Sequence, residues 1–320
     1  MDKPFIGIIG VGMVGTPLKR WFEELKGYEH GKDLFLYDTD PQKGYFDDVS
    51  KADIVFVSVP SPRNHDGSCN TAIVEEAVRS IKGEPPTGVG ESRPEHRGGK
   101  IIVIKSTVPP GTTERLQKEH PQHKFLFNPE FLTERQAWID MVRPDRQIVG
   151  FTESSIDAAH LVLSLLPKAP FMSPWGLNTY TSIKITATEA EVIKYGGNVH
   201  FVRKINFANT LARLCEFHGI NYENVRKGMS ADHRIGDSHL DVTHGGYRGW
   251  GGYCFPKDLD ALTAHLVSLG LENEAGLLKT DRAFNEKILA EQGLTIEEVS
   301  THDSQLAEKL EKLKKHKATG

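Results

Sequence analysis

Cysteine is scarce in this chain. Three occur in 320 residues, Cys69, Cys215 and Cys254. Scattered so widely, they make no disulfide framework, which points to a reducing, cytoplasmic setting. Long apolar runs are missing as well. No stretch approaches the roughly 18 apolar residues of a membrane span, so no membrane partner is expected. Basic charge is not in excess: 39 Lys and Arg stand against 43 Asp and Glu, a net charge of -4. That argues against nucleic acid as a partner. The opening residues "MDKPFIGIIG" lack the basic, apolar and small-residue segments of a signal peptide. His233, His239 and His244 have no i, i+4 pair between them, so no metal site is expected.

What remains is an ordinary globular composition, 38% apolar and 26% charged, with length enough for two domains. Apolar strands are expected over 4–10, 33–38, 52–60, 100–109, 124–131 and 146–152. Helical patterns follow the glycine-rich turn after the first strand and cover about 71–82. Strands alternating with helices predict an α/β fold, a Rossmann-type parallel sheet. Residues 83–99, "GEPPTGVGESRPEHRGG", have little to bury and read as a mobile surface insertion. From about 186 the pattern turns helical, with a capping box of Thr186 and Glu189 opening one long helix. Gly196 and Gly197 inside it are costly and suggest close approach of another backbone or a ligand. Further helices are expected over 256–270 and 272–291. The chain thus divides into a dinucleotide domain over 1–183, a helical central domain over 184–295 and a charged helical tail over 296–320.

The turn Gly10, Val11, Gly12, Met13, Val14, Gly15 has the G-x-G-x-x-G spacing. It follows a strand, opens a helix, and has Asp38 at the end of the next strand. The first glycine makes the tight turn, the second lets backbone approach a pyrophosphate, and the third lets helix and strand pack. Asp38 would accept hydrogen bonds from a ribose diol and repel a 2′-phosphate, which favours NAD as cofactor.

Four other stretches carry reactive groups. "KYGGN" places Lys194 and Asn198 on one helical face, where their donors suit an oxyanion or are simply solvated. "FNPEFLTE" offers Glu130 and Glu134, for hydroxyls, for water, or merely as helix N-terminal acidity. "KSTVPPGTT" puts Thr107 past a strand end, to position water or nicotinamide or to cap a turn. "GGYCFPKD" sets Cys254 beside Lys257, which can depress a thiol pKa, and Asp258, which could orient a lysine or water. Cys69 and Cys215 have no such neighbours and read as small buried hydrophobes.

Taken in order, "GIIGVGMVG", "VSVPSPRNHDGSCNTAIVEEAV", "KSTVPPGTT", "NPEFLTERQAWIDMVRPDRQIVG", "EAEVIKYGGN", "ADHRIG" and "GGYCFPKD" resemble the UDP-glucose/GDP-mannose dehydrogenase family from residue 5 to about 290. The resemblance implies an NAD-binding domain, a homodimer built on the long helix, and a nucleotide-sugar substrate. It implies oxidation of a sugar C6 alcohol to a carboxylate with two NAD. Cys254 would be the nucleophile, passing through a thiohemiacetal and a thioester. Lys194 and Asn198 would stabilise the oxyanion, and Asp258 would help handle the hydrolytic water. Glu134 and Thr107 would assist with water and protons. Glu130, Gly251 and Arg234 would lie against the sugar nucleotide, Arg234 from across the dimer. Lys43 and the turn Val59, Pro60, Ser61 would flank the adenosine half of NAD, with Thr107 and Lys257 also near the cofactor.

The chain departs from the family pattern in four ways, one being that Gly196 and Gly197 replace bulkier residues. Members usually carry a third α/β domain, and the 29 residues after 291 are too few for one, so this is either a truncation or a short form. The loop from Arg234 to Cys254 looks long, and Arg248 and Trp250 within it are expected to replace part of the substrate grip. Arg135 stands where a glycine is common. Two other readings stay open: a two-electron 3-hydroxyacid-type dehydrogenase, which leaves Cys254 idle, and an NAD-binding protein without catalysis.

Overall fold

The runs IGII, LFLY, IVFV, IIVI and KFLF are rich in β-branched and aromatic side chains, which fit a pleated surface better than a helix. In the structure, a computed structural model describing residues 3–82, 99–174, 184–243, 245–301 and 310, each forms a strand. The insertion over 83–98, His244 and most of the tail lie outside the described residues. The chain divides into two units: Met1–Pro62 with Asn70–Lys194, and Arg63–Cys69 with Tyr195–Gly320.

In the first unit the elements are β1 (Ile6–Ile9), α1 (Gly15–Arg20), β2 (Leu34–Tyr37), β3 (Ile54–Val57), α2 (Ala72–Ser80), β4 (Ile101–Ile104), α3 (Thr112–Glu119), β5 (Lys124–Phe127), α4 (Ala137–Val142), β6 (Arg146–Ile148), β7 (Gly150–Phe151), α5 (Ile156–Leu165) and β8 (Phe171–Ser173). The sheet order is β2-β1-β3-β4-β5-β7. Its first five strands are parallel, with Ile6 opposite both Leu34 and Ile54, and β7 runs antiparallel to β5. Alternate side chains enter two apolar layers. Ile6, Ile8, Leu36 and Phe56 go to one, and Ile9, Phe35, Val55 and Ile104 to the other. A sheet buried on both faces explains why these strands read as continuous apolar runs.

The single strand expected over 146–152 is two. Arg146–Ile148 pairs with β8, whereas Gly150 and Phe151 pair with β5. A Cβ on Gly150 would lie 2.7 Å from both Ala190 Cβ and the Thr186 carbonyl. The segment therefore changes partners where the start of the long helix after Thr186 crosses it.

That helix, α6 (Ala187–His218), starts in the first unit and continues into the second. Thr186 and Glu189 form the reciprocal capping box expected from the sequence. The second unit adds α7 (Tyr222–Ser230), α8 (Cys254–Ser268), α9 (Glu272–Ala290) and α10 (Ile296–Val299). Val199, Val202, Leu259, Leu278 and Leu289 build its core around Trp250. The close backbone approach expected at Gly196 is not present among the described residues: a Cβ there would meet nothing within 4 Å.

Candidate active site

The glycine turn leaves β1 beside β3, where the strand order reverses and where open α/β sheets bind ligands. Gly10 has φ +87°, and a Cβ on it would lie 2.6 Å from the Ser58 carbonyl. A Cβ on Gly15 would sit 1.9 Å from the Gly10 carbonyl oxygen, so only glycine lets the helix start pack on the turn. Gly12 differs: a Cβ there would meet no described atom within 4 Å. Its bare backbone faces open space, as a cradle for pyrophosphate requires. Asp38 ties the turn to β2. Its Oδ2 accepts from the Val11 N–H at 2.7 Å and from Lys43 Nζ at 2.8 Å, and its Oδ1 accepts from the Asp40 N–H. Burial alone would raise its pKa, but Lys43 and the two amides hold it below the usual range. A carboxylate has about four acceptor positions, so room remains for a ribose hydroxyl. These residues fit NAD. Ser61 is buried, Val59 half-buried and Pro60 exposed at the end of β3, and the Ser106 hydroxyl donates to the Val59 carbonyl.

A second group of side chains in this unit gathers at the ends of β4 and β5. Lys194 Nζ donates to Glu130 Oε1 at 2.7 Å and to the Glu130 carbonyl at 2.8 Å, and both side chains are buried. Burial pushes the Glu130 pKa up, but Lys194, then the Leu132 N–H and then Lys105 outweigh it and hold the carboxyl below its ordinary value. Sequence reasoning placed Glu130 against the sugar, and its bonds are to Lys194 and the Leu132 N–H. Lys105 is missed by the sequence reading. It ends the apolar run IIVI, and its Nζ donates to Asn128 Oδ1 at 2.7 Å. Glu191 is missed too. It accepts from the Gly111 and Thr113 N–H groups and the Thr113 hydroxyl, clamping α6 to the turn that carries the buried Thr107. The signal for both was an ionisable residue inside an apolar pattern. Glu134 stands exposed in the short turn Glu134–Gln136.

The second unit holds the cysteine group. Cys254 begins α8, three residues before Lys257 and four before Asp258. Asp258 is fully buried and accepts from both Asn198 Nδ2 and Lys257 Nζ. Burial would lower the Lys257 pKa, yet Asp258 and then the thiols of Cys254 and Cys69 raise it. Cys215 is buried as expected, but Cys69 is not a buried hydrophobe: it is half-exposed and within electrostatic reach of Lys257. The Arg63–Cys69 segment is pinned to α8 by Arg63, which shares Asp260 with Arg282.

Other sites fall elsewhere in this unit. Arg234 is exposed and paired with Asp232. Gly251 is a packing glycine, since a Cβ on it would lie 2.6 Å from the Tyr247 hydroxyl and the Val299 carbonyl. The reading of Trp250 as substrate grip is corrected by its burial, 1% exposed, with its indole N–H on Asn206 Oδ1. Arg248 is likewise bonded within the unit, to Asn209 and Glu216.

A sheet with this switch-point glycine turn, continued by a helix into a unit where Asn198 and Lys257 bond the buried Asp258 near a cysteine, defines a protein of the dinucleotide-binding class. Residues 40–163 match the NAD binding domain of the UDP-glucose/GDP-mannose dehydrogenase family, and residues 188–287 match its central domain. The UDP-glucose 6-dehydrogenase of Rhizobium meliloti is 36% identical over 221 residues, 67% of this chain and 46% of that protein. UDP-glucose 6-dehydrogenase YwqF of Bacillus subtilis is 31% identical over 266 residues, 81% of this chain and 53% of that protein. A solved UDP-glucose dehydrogenase from Pyrobaculum islandicum superposes with TM-score 0.71 at 27% identity, covering 89% of this chain and 68% of that one. The chain belongs to the UDP-glucose/GDP-mannose dehydrogenase family. It spans about half the length of the curated relatives it matches.

Proposed function

We propose that the chain is an NAD-dependent nucleotide-sugar 6-dehydrogenase that oxidises a sugar C6 alcohol to a carboxylate through Cys254. The observation that carries this is the Cys254 setting: a thiol in the first turn of α8, near the Lys257 ammonium, with Asp258 holding Lys257 and Asn198 in place. A cation near a cysteine favours the thiolate, which is the nucleophile. Nothing in a two-electron alcohol oxidation uses that arrangement.

Bound NAD supplies the acceptor for each hydride. The chain's residues do the rest. Gly12 and Asp38 position the dinucleotide. The C6 alcohol first loses a hydride from carbon and the proton of its hydroxyl, leaving an aldehyde. The Cys254 sulfur adds to the aldehyde carbon, the C–S bond forms, and the carbonyl oxygen takes up a proton, giving a thiohemiacetal. Loss of the second hydride and of that proton leaves a thioester. Lys194 and Asn198 stabilise the oxyanion of each addition. Water then attacks the thioester, the C–S bond breaks, and the thiol is regenerated as the carboxylate leaves. Asp258 orients the donors around this step, and Glu134 and Thr107 assist its proton transfers. Arg234, Gly251 and Glu130 contribute to the nucleotide-sugar side, and Lys43, Val59, Pro60, Ser61 and Lys257 to the cofactor side.

The reading includes a homodimer, supported by the exposed apolar residues Phe207, Leu214 and Phe217 along α6. It includes a cytoplasmic setting, where the Cys254 thiol stays reduced. No helix among the described residues is long and apolar enough to cross a membrane. Incubation with NAD and a panel of UDP- and GDP-sugars, followed by mass analysis, should yield a uronic-acid product from at least one sugar. A panel that returns no oxidised sugar at all contradicts the proposal.

A further inference from the structure

Lys105 has no place in the mechanism above, yet it is 6% exposed at the end of β4. A buried ammonium is costly unless it is bonded and its charge is used. Its bonds go to Asn128, at 2.7 Å to Oδ1 and 3.4 Å to the carbonyl. Asn128 is fully buried and fixed in turn, its amide donating to Gln147 Oε1 and the Ile148 carbonyl. Two residues later the same loop carries Glu130, which Lys194 grips by both side chain and backbone. One carboxylate is thus served by two lysines, Lys194 directly and Lys105 at longer range. The charged groups facing Lys105 are Glu130, from the loop after β5, and Lys194, from α6.

We propose that Lys105 is a positioning residue for Lys194: held by Asn128, two residues before Glu130, its charge fixes Glu130 as an anion and makes Lys194 release its proton more readily. The physical reason is Coulomb interaction in a site with little water. A positive neighbour favours the carboxylate and disfavours a second ammonium. Burial, with Lys194 adding to it and Glu130 opposing, brings Lys105 itself down to about 8. The three groups therefore titrate as a set rather than one by one. The proposal deepens the oxyanion role given to Lys194 and rests on that reading for its catalytic consequence. Its electrostatic content does not depend on turnover.

The test is a pH titration of the full chain labelled at lysine side chains, read by NMR, with Lys194→Met and Lys105→Gln used to assign the two resonances. Lys105→Gln keeps a donor for Asn128 and removes the charge. The Lys194 pKa should rise by about one unit in it. A Lys194 titration that stays where it was overturns the proposal, since a purely structural lysine would leave it unmoved. Glu130→Gln gives the same decision without altering Lys105: both lysines should fall by about one unit, and a Lys105 that does not move overturns the coupling. In steady-state assays with sugar and NAD, the pH limb of kcat should move upward in Lys105→Gln by the same amount as the resonance. If the resonance moves and no sugar is oxidised, the proposed function fails and the positioning role stands. If sugar is oxidised and the resonance is fixed, the positioning role fails.

Discussion

Asp258 takes the amide of Asn198 on one carboxylate oxygen and the ammonium of Lys257 on the other, all within the second unit. It has no exposure to solvent of its own. It sits four residues after Cys254 on α8, so one buried carboxylate sets the orientation of a donor from α6 and a cation beside the thiol. Replacing it by asparagine leaves the half-buried Lys257 without its counter-charge. The expected cost is about 3 kcal/mol of stability. Loss of a group that orders the donors should lower kcat by about a hundredfold. Thermal melts and initial rates of Asp258→Asn check both; a variant with wild-type rate and stability contradicts the account.

The three turn glycines should separate into two behaviours. Gly15→Ala drives a methyl into the Gly10 carbonyl, a backbone atom that cannot swing away. It should lose about 1–3 kcal/mol of stability whether or not cofactor is present. Gly12→Ala meets open space, so the melting temperature should hold while NAD affinity falls, because the methyl occupies the surface the pyrophosphate needs. Melts with and without NAD, together with calorimetric titration, distinguish them. Equal effects from the two substitutions would contradict the assignment.

Glu191 gives the first unit a pH signature. Burial raises its carboxyl to about 7, only partly offset by the hydroxyl and N–H of Thr113 and the N–H of Gly111. An acid whose folded pKa exceeds its unfolded value holds its proton more tightly when folded. Its contribution is therefore complete below the ordinary pKa of 4.5 and is lost as pH rises through about 7. Glu191→Gln should remove that loss. The difference in melting temperature between wild type and variant should shift in the variant's favour between pH 4.5 and 7, and a difference constant over that range contradicts the burial argument.

Much of this was legible in the residues themselves. The apolar runs marked the strands because a doubly covered sheet buries both of their faces, and the capping box marked the start of α6. The glycine spacing gave the cofactor turn, where φ and close packing leave little choice of residue. The 146–152 segment was misjudged because strand pairing is a long-range matter, and a change of partner leaves no local trace except Gly150. Trp250 was misread because a tryptophan in a loop looks like a ligand contact until its burial against Asn206 is known. Lys105 and Glu191 escaped because their roles lie in partners 23 and about 80 residues away. Cys69 escaped because the segment carrying it belongs by sequence among the strands and by contact with α8.

The central claim is that Cys254 carries the substrate between two oxidations. The most direct measurement is NADH formed per nucleotide sugar consumed, for wild type beside Cys254→Ala. The account predicts two NADH per sugar in wild type, with no acid product from the variant. One NADH per sugar, unchanged when Cys254 is replaced, would contradict it and leave a two-electron dehydrogenase.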